Sequence, residues 1–231
     1  MKHHLLYHVT PMGNWLQNIE WLKRHFDKFD GQIMAVVCEG PGLLPYHEVT
    51  DHLPQFKTVI RMANSDLFRE TLSLLCLMQV LQQRESDGYA FFGHTKGVTH
   101  TDDSDYRKEA IRRWTLASYE ENLSDFARVD AALETALMAG CFRQTANDWS
   151  NFPPNCPWCF AGTFFWFNVA KMWQRDWRSA VRQHRFGAEA FPGFVCDIEE
   201  SVCLFGEGNG SLYQVSTLEA LMGDKYAPEQ P

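Results

Sequence analysis

The segment that most constrains the fold is a short apolar run that ends in polar residues between two glycines. Residues 87–97 read Asp-Gly-Tyr-Ala-Phe-Phe-Gly-His-Thr-Lys-Gly. A turn signal followed by aromatic and small residues is typical of a buried strand whose carboxyl end opens onto a loop. Gly93 and Gly97 permit close approach of the backbone, and Lys96 adds a positive charge. We therefore predict a strand followed by a ligand-binding loop, with an ordinary loop as the alternative.

Similar apolar runs recur along the chain and alternate with helical patterns. We predict strands at residues 5–9, 33–37, 58–61, 89–92 and 161–167. Helical spacing of apolar residues follows these runs, in segments that begin near residues 14, 68, 105, 123 and 169. Such alternation predicts an α/β fold, with a single mainly parallel open sheet flanked by helices. In such sheets, ligands bind at the carboxyl ends of the strands.

Two segments late in the chain carry acidic residues that are candidates for a site. Residues 189–194 contain Pro192 and Gly193, and we predict a turn-rich connector that carries the single acid Glu189. Glu199 and Glu200 precede a short apolar segment, and paired acids are typical of the first turn of a helix.

Length and charge narrow the class of protein. The chain has 231 residues, of which 45% are hydrophobic and 14% aromatic, so it has ample material for a core. We expect one domain over residues 1–225 and a flexible tail at residues 226–231. The formal net charge of -8 argues against nucleic acid as the main partner, because such partners usually select a basic face.

The seven cysteines are scattered through apolar segments, which favours buried thiols in a reducing compartment over structural disulfides. Cys156 and Cys159 lie three residues apart, which leaves half of a zinc site or a redox pair as the alternative. No stretch approaches the ~20 apolar residues of a membrane-spanning helix, and the first ten residues lack the apolar core of a signal peptide. We expect a cytoplasmic protein, which leaves docking on a membrane open.

A group of acids precedes the helix predicted after residue 105. Acids at this place usually cap a helix and complement its dipole. Asp103 and Asp105 are separated by one residue, a spacing that also occurs in pairs of carboxylates that bind a hard divalent ion. Helix capping and binding of Mn²⁺ or Mg²⁺ are therefore both open.

Three stretches together resemble a known family. They are the early strand ending in Thr10-Pro11, the strand ending in His94-Thr95-Lys96, and residues 161–167 followed later by an acidic pair. They resemble bacterial glycosyltransferases of the rhamnan synthesis protein F type and related polysaccharide transferases. The resemblance covers residues 5–205, although its specific parts are short.

The resemblance implies a transferase that uses a nucleotide-sugar donor and a glycan or other hydroxyl acceptor in polysaccharide biosynthesis. It also implies a fold similar to that of the A-type glycosyltransferases. The implied donor-binding residues are Thr10, Pro11, His94, Thr95, Lys96, Gly97, Gly162 and Thr163.

A-type enzymes usually place an Asp-x-Asp motif, which holds a metal ion on the diphosphate, where this chain has residues 94–97. Metal dependence is therefore open. We hypothesise that Lys96, helped by His94 and nearby backbone amides, stabilises the charge of the departing diphosphate. The base that takes the acceptor proton would be Glu189, Glu199 or Glu200, with Glu200 preferred because the family has an acid late in the chain.

Other functions remain compatible with the sequence. A module of the same fold that binds carbohydrate or nucleotide-sugar with little turnover would explain the missing Asp-x-Asp motif. A hydrolase with two carboxylates is weaker, because no acid pair is defined by spacing. A transferase that modifies nucleic acid is disfavoured by the acidic balance.

Overall fold

The computed structural model describes residues 1–100, 103–145 and 152–227. Its strands are β1 (His3–Val9), β2 (Ile33–Glu39), β3 (Thr58–Ala63), β4 (Tyr89–His94), β5 (Met138–Cys141), β6 (Arg143–Gln144), β7 (Cys159–Phe160), β8 (Phe165–Asn168) and β9 (Ser201–Phe205). Its helices are α1 (Trp15–Lys23), α2 (Tyr46–Thr50), α3 (Glu70–Arg84), α4 (Asp105–Leu123), α5 (Phe126–Thr135), α6 (Val169–Met172), α7 (Trp177–Ala180), α8 (Gly187–Val195) and α9 (Val215–Met222).

Seven strands form one open sheet in the order β3-β2-β1-β4-β8-β5-β9. Strand β8 runs antiparallel to both of its neighbours, and every other pair in this sheet is parallel. The prediction of an α/β fold with a single mainly parallel open sheet flanked by helices is confirmed. The chain builds outward from β1 to β3 and then returns to place β4 on the other side of β1. A crevice therefore opens between the carboxyl ends of β1 and β4, where the strand order reverses.

Helices cover both faces of the sheet, which explains why the central strands are buried along almost their whole length. In β1, Leu5 and Tyr7 belong to the core cluster that includes residues of α1, α4 and α5. Leu6 belongs to the opposite cluster, which includes residues of α3, α6, α7 and α8. The strand thus buries both of its faces, and its polar His8 is buried beside the crevice.

The predicted strand at residues 161–167 is wrong in its first half. Residues 161–164 form a turn between β7 and β8, in which Gly162 has φ 95° and Thr163 has φ 63°. A strand cannot continue through two residues with positive φ, and this conformation is rare for a β-branched residue such as Thr163. Aromatic residues on both sides of the turn are buried. Because they make the whole segment apolar, the sequence predicted a strand where the turn lies.

The predicted connector at residues 189–194 is also wrong, because it lies within helix α8. Gly193 serves packing: a Cβ there would lie 2.1 Å from the carbonyl oxygen of Trp158. Glu199 and Glu200 lie in a short 3₁₀ turn that leads directly into strand β9, so no α-helix begins there.

The other boundaries differ more modestly. The helix predicted over residues 123–138 ends at Thr135, and the fully buried β5 follows it. The helix predicted after residue 169 is two short helices, α6 and α7. In the predicted tail, the Tyr226 hydroxyl donates to Glu121 Oε1 at 2.6 Å, while residues 228–231 lie outside the described residues. Within the described ranges, no helix is long and apolar enough to cross a membrane.

Candidate active site

A cleft of about 1110 Å³ lies at the carboxyl edge of the sheet, over the crevice between β1 and β4. Hydrogen bonds join the two strand ends at its floor. The Thr10 amide donates to Thr95 Oγ1 at 2.8 Å, and the Thr95 amide donates to the His8 carbonyl at 3.0 Å. Thr10, Thr95 and His94 all line the cleft, so the structure brings together residues that the sequence analysis selected from two distant segments.

Lys96 extends into this cleft from the loop after β4. Its Nζ lies 3.6 Å from the centroid of the Trp114 ring, a geometry that attracts a cation to the ring face. Its backbone amide donates to Asn18 Oδ1 at 3.0 Å, which fixes the loop on helix α1. Burial lowers the pKa of Lys96, while the negative charges of Glu189 and Glu70 oppose that shift. A cation is thus held in the cleft without a close carboxylate partner among the described residues.

Glu189 comes from helix α8 and lines the same cleft. Its Oε1 accepts a hydrogen bond of 2.6 Å from the Gly162 amide. Burial raises the pKa of Glu189, and the nearby charge of Lys96 and the bond from Gly162 partly offset that rise. A carboxylate with a raised pKa binds a proton more readily than an exposed one, as a general base requires.

The turn at Gly162 and Thr163 is held by side chains from three different elements. Besides the Glu189 bond, His94 Nε2 donates to the Gly162 carbonyl at 2.9 Å. The Thr163 hydroxyl donates to Glu70 Oε1 at 3.3 Å. These bonds fix a left-handed turn against the cleft, a conformation that persists only when its surroundings enforce it.

Two histidines, the buried His8 and the partly buried His94, flank the crevice as neutral rings. Burial lowers the pKa of His94 to about 3, and the neighbouring positive charge of Lys96 adds to this effect. Burial also lowers the pKa of His8 to about 4. The ring nitrogens of His8 hydrogen-bond Ser73 Oγ at 2.7 Å and Thr10 Oγ1 at 2.9 Å. Both rings therefore act near pH 7 as hydrogen-bonding groups and carry no charge.

Four charged residues in the cleft were missed by the sequence analysis. Asp66, Arg69, Glu70 and Arg185 all line it. Arg69 has φ 44°, and such strain is concentrated at functional sites. Arg69 and Glu70 lie at the start of the helical segment predicted to begin near residue 68, where a charged pair is common in a sequence. Arg185 meets the other residues of the cleft only in the folded chain, because they are distant from it in the sequence. No local pattern therefore identifies it.

The remaining predicted donor residues lie close to the cleft in different ways. Gly97 lines it and has φ 78°, which suits a glycine in a tight loop. Gly162 contributes its backbone groups to Glu189 and His94, as described above. The Pro11 carbonyl accepts a hydrogen bond of 3.1 Å from the Leu44 amide, so Pro11 shapes the adjoining loop.

Glu199 and Glu200 do not join the cleft. They precede β9, whose amino end lies at the opposite edge of the sheet from the crevice. Glu200 forms an ion pair with Arg175. Of the three predicted bases, the structure therefore places Glu189 alone beside Lys96.

The predicted metal ligands are engaged in other interactions. Asp103 Oδ2 lies 2.8 Å from His100 Nδ1 and 3.1 Å from Arg107 Nε. Asp105 is the first residue of α4, and Ser104 caps this helix by accepting from the Arg107 amide. A carboxylate already paired with an arginine does not fit a hard divalent cation, which needs several free anionic oxygens. No group of three or more potential metal-ligating side chains occurs in the described ranges.

The pair Cys156 and Cys159 shows no sign of redox or metal chemistry. All seven cysteines are free thiols. Burial raises the pKa of Cys156 to about 11 and raises that of Cys159 well above its usual value. Thiols that resist deprotonation are poor nucleophiles and poor metal ligands, as expected for core residues.

Comparisons with known proteins add little to this geometry. No protein-family model matches the chain, and no curated protein matches it. A crystal structure of 4-diphosphocytidyl-2C-methyl-D-erythritol synthase is similar, with a TM-score of 0.45 and 12% sequence identity. The match covers 91% of this chain and 90% of that chain.

Proposed function

We propose that the protein transfers a sugar from a nucleoside-diphosphate donor to a hydroxyl group of a glycan acceptor. The observation that carries this proposal is the presence of Lys96 and Glu189 in one cleft, over the point where the strand order reverses. Open α/β sheets bind ligands at this point. A volume of about 1110 Å³ can hold a nucleotide-sugar together with part of an acceptor.

The charges in the cleft suit an anionic leaving group. When the bond between the sugar and the phosphate oxygen breaks, its electron pair and negative charge pass to the diphosphate. Lys96 lies two residues beyond the end of β4, and Arg69 and Arg185 also line the cleft. Cations that are already in place stabilise such charge without reorganisation as the bond breaks. In this proposal they act where A-type enzymes usually place an Asp-x-Asp motif and its ion.

Glu189 is the proposed base. As the acceptor oxygen attacks the sugar carbon, its proton would pass to the free oxygen of Glu189, and the bond to the diphosphate would break. The bond from the Gly162 amide leaves Glu189 Oε2 without a partner among the described residues. Its raised pKa supports proton uptake.

A thermal-shift panel tests the donor class. UDP-, GDP-, CMP- and dTDP-sugars are each added with and without Mn²⁺, and the most stabilising donor is then assayed for release of its nucleotide. A donor at about 100 times its Kd adds about 2.7 kcal/mol, which raises the melting temperature by several degrees. We expect one nucleotide class to stabilise the protein and to be consumed. Stabilisation without consumption would indicate a binding module, and no stabilisation by any donor would contradict the proposal.

A further inference from the structure

One stretch of this acidic protein is basic. The segment of residues 177–188 contains Arg178, Arg182 and Arg185 and no Asp or Glu, although the chain carries a net charge of -8. All three arginines are exposed. We call these three residues the arginine track.

The arginine track differs from most other arginines in the described ranges in lacking carboxylate partners, a property that it shares with Arg69 and Arg84. Eight arginines form ion pairs with carboxylates in the described ranges: Arg24, Arg61, Arg107, Arg112, Arg113, Arg128, Arg143 and Arg175. Within the same ranges, none of the three arginines of the track forms such a pair. Their positive charges are therefore available to an external anion.

Each guanidinium of the track lies instead over an aromatic ring. The distances to the ring centroids are 4.4 Å for Arg178 over Trp177 and 4.4 Å for Arg182 over Phe194. Arg185 lies 4.8 Å from the centroid of the Phe186 ring. A stacked guanidinium keeps a fixed plane and leaves its edge N–H groups for carboxylate or phosphate oxygens, so less side-chain entropy is lost on binding.

The arginine track follows helix α3 towards the cleft. At the lower end, Arg178 Nη2 donates to Gln82 Oε1 at 2.7 Å. At the upper end, the Thr71 hydroxyl donates to the His184 carbonyl at 2.9 Å, next to Arg185 in the cleft wall. Thr71 and Gln82 are eleven residues apart on one helix, which corresponds to about 16 Å. The track thus leads from the far edge of the sheet to the cleft.

Few acids border the track. Asp176 caps helix α7 at the lower end, where its Oδ1 accepts from the Ser179 amide at 3.5 Å. Glu85 is paired with Lys2, and Glu200 with Arg175. Glu189 and Glu70 face the cleft beyond the upper end. Two of these five carboxylates are already paired with other cations, and two lie beyond the upper end of the track, so the track as a whole stays positive.

We propose that the acceptor is an acidic glycan, whose successive anionic groups bind along the arginine track while its end enters the cleft. This inference rests on the proposed transferase function. The contacts that anchor the two ends of the track on α3 lie about 16 Å apart along that helix. Three cations in such a track match a chain with repeated charges better than a single anion. Nucleic acid fits less well, because the rings of the track are covered by guanidinium groups or buried and offer no face for base stacking.

Binding of a charged oligosaccharide tests the proposal. The probe is fluorescently labelled oligogalacturonate, and its methyl ester is the neutral counterpart of the same length. Anisotropy is measured for the wild type, for the double variant Arg178→Gln/Arg182→Gln, and for the double variant Arg24→Gln/Arg61→Gln. The last variant is the control, because it removes the same charge from arginines that are paired with carboxylates.

We expect the track variant to bind the acidic probe about tenfold more weakly and with a smaller dependence on salt, while the control matches the wild type. The ester should bind much more weakly than the acid. Equal binding by both double variants, equal binding of the ester, or tighter binding of an oligothymidylate of equal charge would overturn the proposal. Thermal shifts with nucleotide-sugars report the donor site separately: if they fail in the wild type, the transferase function fails, and if they persist, only the acceptor class is at issue.

Discussion

At the scale of single residues, burial determines which groups in the cleft carry charge. It lowers the pKa of Lys96 and raises that of Glu189, so each group is closer to neutrality than it would be in water. The negative charge of Glu189 partly offsets the lowering of the Lys96 pKa, and the positive charge of Lys96 partly offsets the rise of the Glu189 pKa. A ligand that adds negative charge beside Lys96 would therefore favour its protonated form. The sequence identified both residues, but their opposite shifts depend on a cleft formed by segments almost a hundred residues apart.

His8 provides a test of burial at this scale. Burial lowers the pKa of His8 to about 4, whereas the usual pKa of a histidine side chain is 6.5. Between these values the unfolded chain binds more protons than the folded one, so the free energy of unfolding falls as the pH falls. The shift corresponds to about 3 kcal/mol once the pH is below the folded value.

Urea denaturation between pH 7 and pH 4 measures this loss. We expect the wild type to lose stability across the interval and His8→Gln to lose about 3 kcal/mol less of it. His94 and His4 also have lowered pKa values and leave a residual slope of the same sign. The control is His47→Gln, which removes one imidazole from an exposed position. Identical profiles for the wild type and His8→Gln would show that His8 is not buried as a neutral ring.

At the scale of elements, the turn between β7 and β8 links the sheet to the cleft. A Cβ on Gly162 would lie 2.9 Å from Trp114 Cζ2 and 3.0 Å from Lys96 Cε. The glycine thus allows the cation and its aromatic ring to pack against the backbone. A local pattern of aromatic residues predicts a strand here, because the reason for the turn lies in side chains that pack on it from other elements.

Replacement of this glycine tests the role of the turn. Gly162→Ala and Gly42→Ala both place an alanine at positive φ, at 95° and 78°, which costs roughly 1–2 kcal/mol. Gly42 has no atom within 4 Å of the added Cβ. We expect Gly162→Ala to lose about 1–3 kcal/mol more than Gly42→Ala because of crowding, and to lose turnover because Lys96 is displaced. Equal unfolding free energies and equal turnover would mean that the turn does not position the cation.

At the scale of the whole molecule, the order of elements was predictable and several local boundaries were not. Repeated apolar runs that end in glycine or polar residues predicted the parallel sheet, because strands and their ends can be recognised from local sequence patterns. Helix α8 was missed because Pro192 and Gly193 are typical of turns, whereas here Gly193 permits close packing against Trp158. Strand β5 was missed because a four-residue apolar run after a helix has the same pattern as one more helical turn.

The residues of the candidate site were likewise only partly predictable from the sequence. The residues at the ends of β1 and β4 could be selected, because strand ends meet at one edge of a parallel sheet. Arg69 and Arg185 could not be selected, because nothing in their own segments indicates that they reach that edge. Glu200 was preferred over Glu189 by resemblance to a family, but β9 places Glu200 at the opposite edge. The sequence patterns thus did not show which distant segments of the chain meet at the cleft.

The most direct test of the central claim is the rate at which Lys96→Ala releases nucleoside diphosphate from the donor found in the panel. Lys108→Ala is the control, because Lys108 is an exposed lysine outside the main cleft. We expect kcat to fall about 10²–10³-fold in Lys96→Ala, the usual cost of removing one group that stabilises transition-state charge. Its melting temperature and the rate of Lys108→Ala should stay close to those of the wild type. An unchanged rate in a folded Lys96→Ala variant would contradict the account.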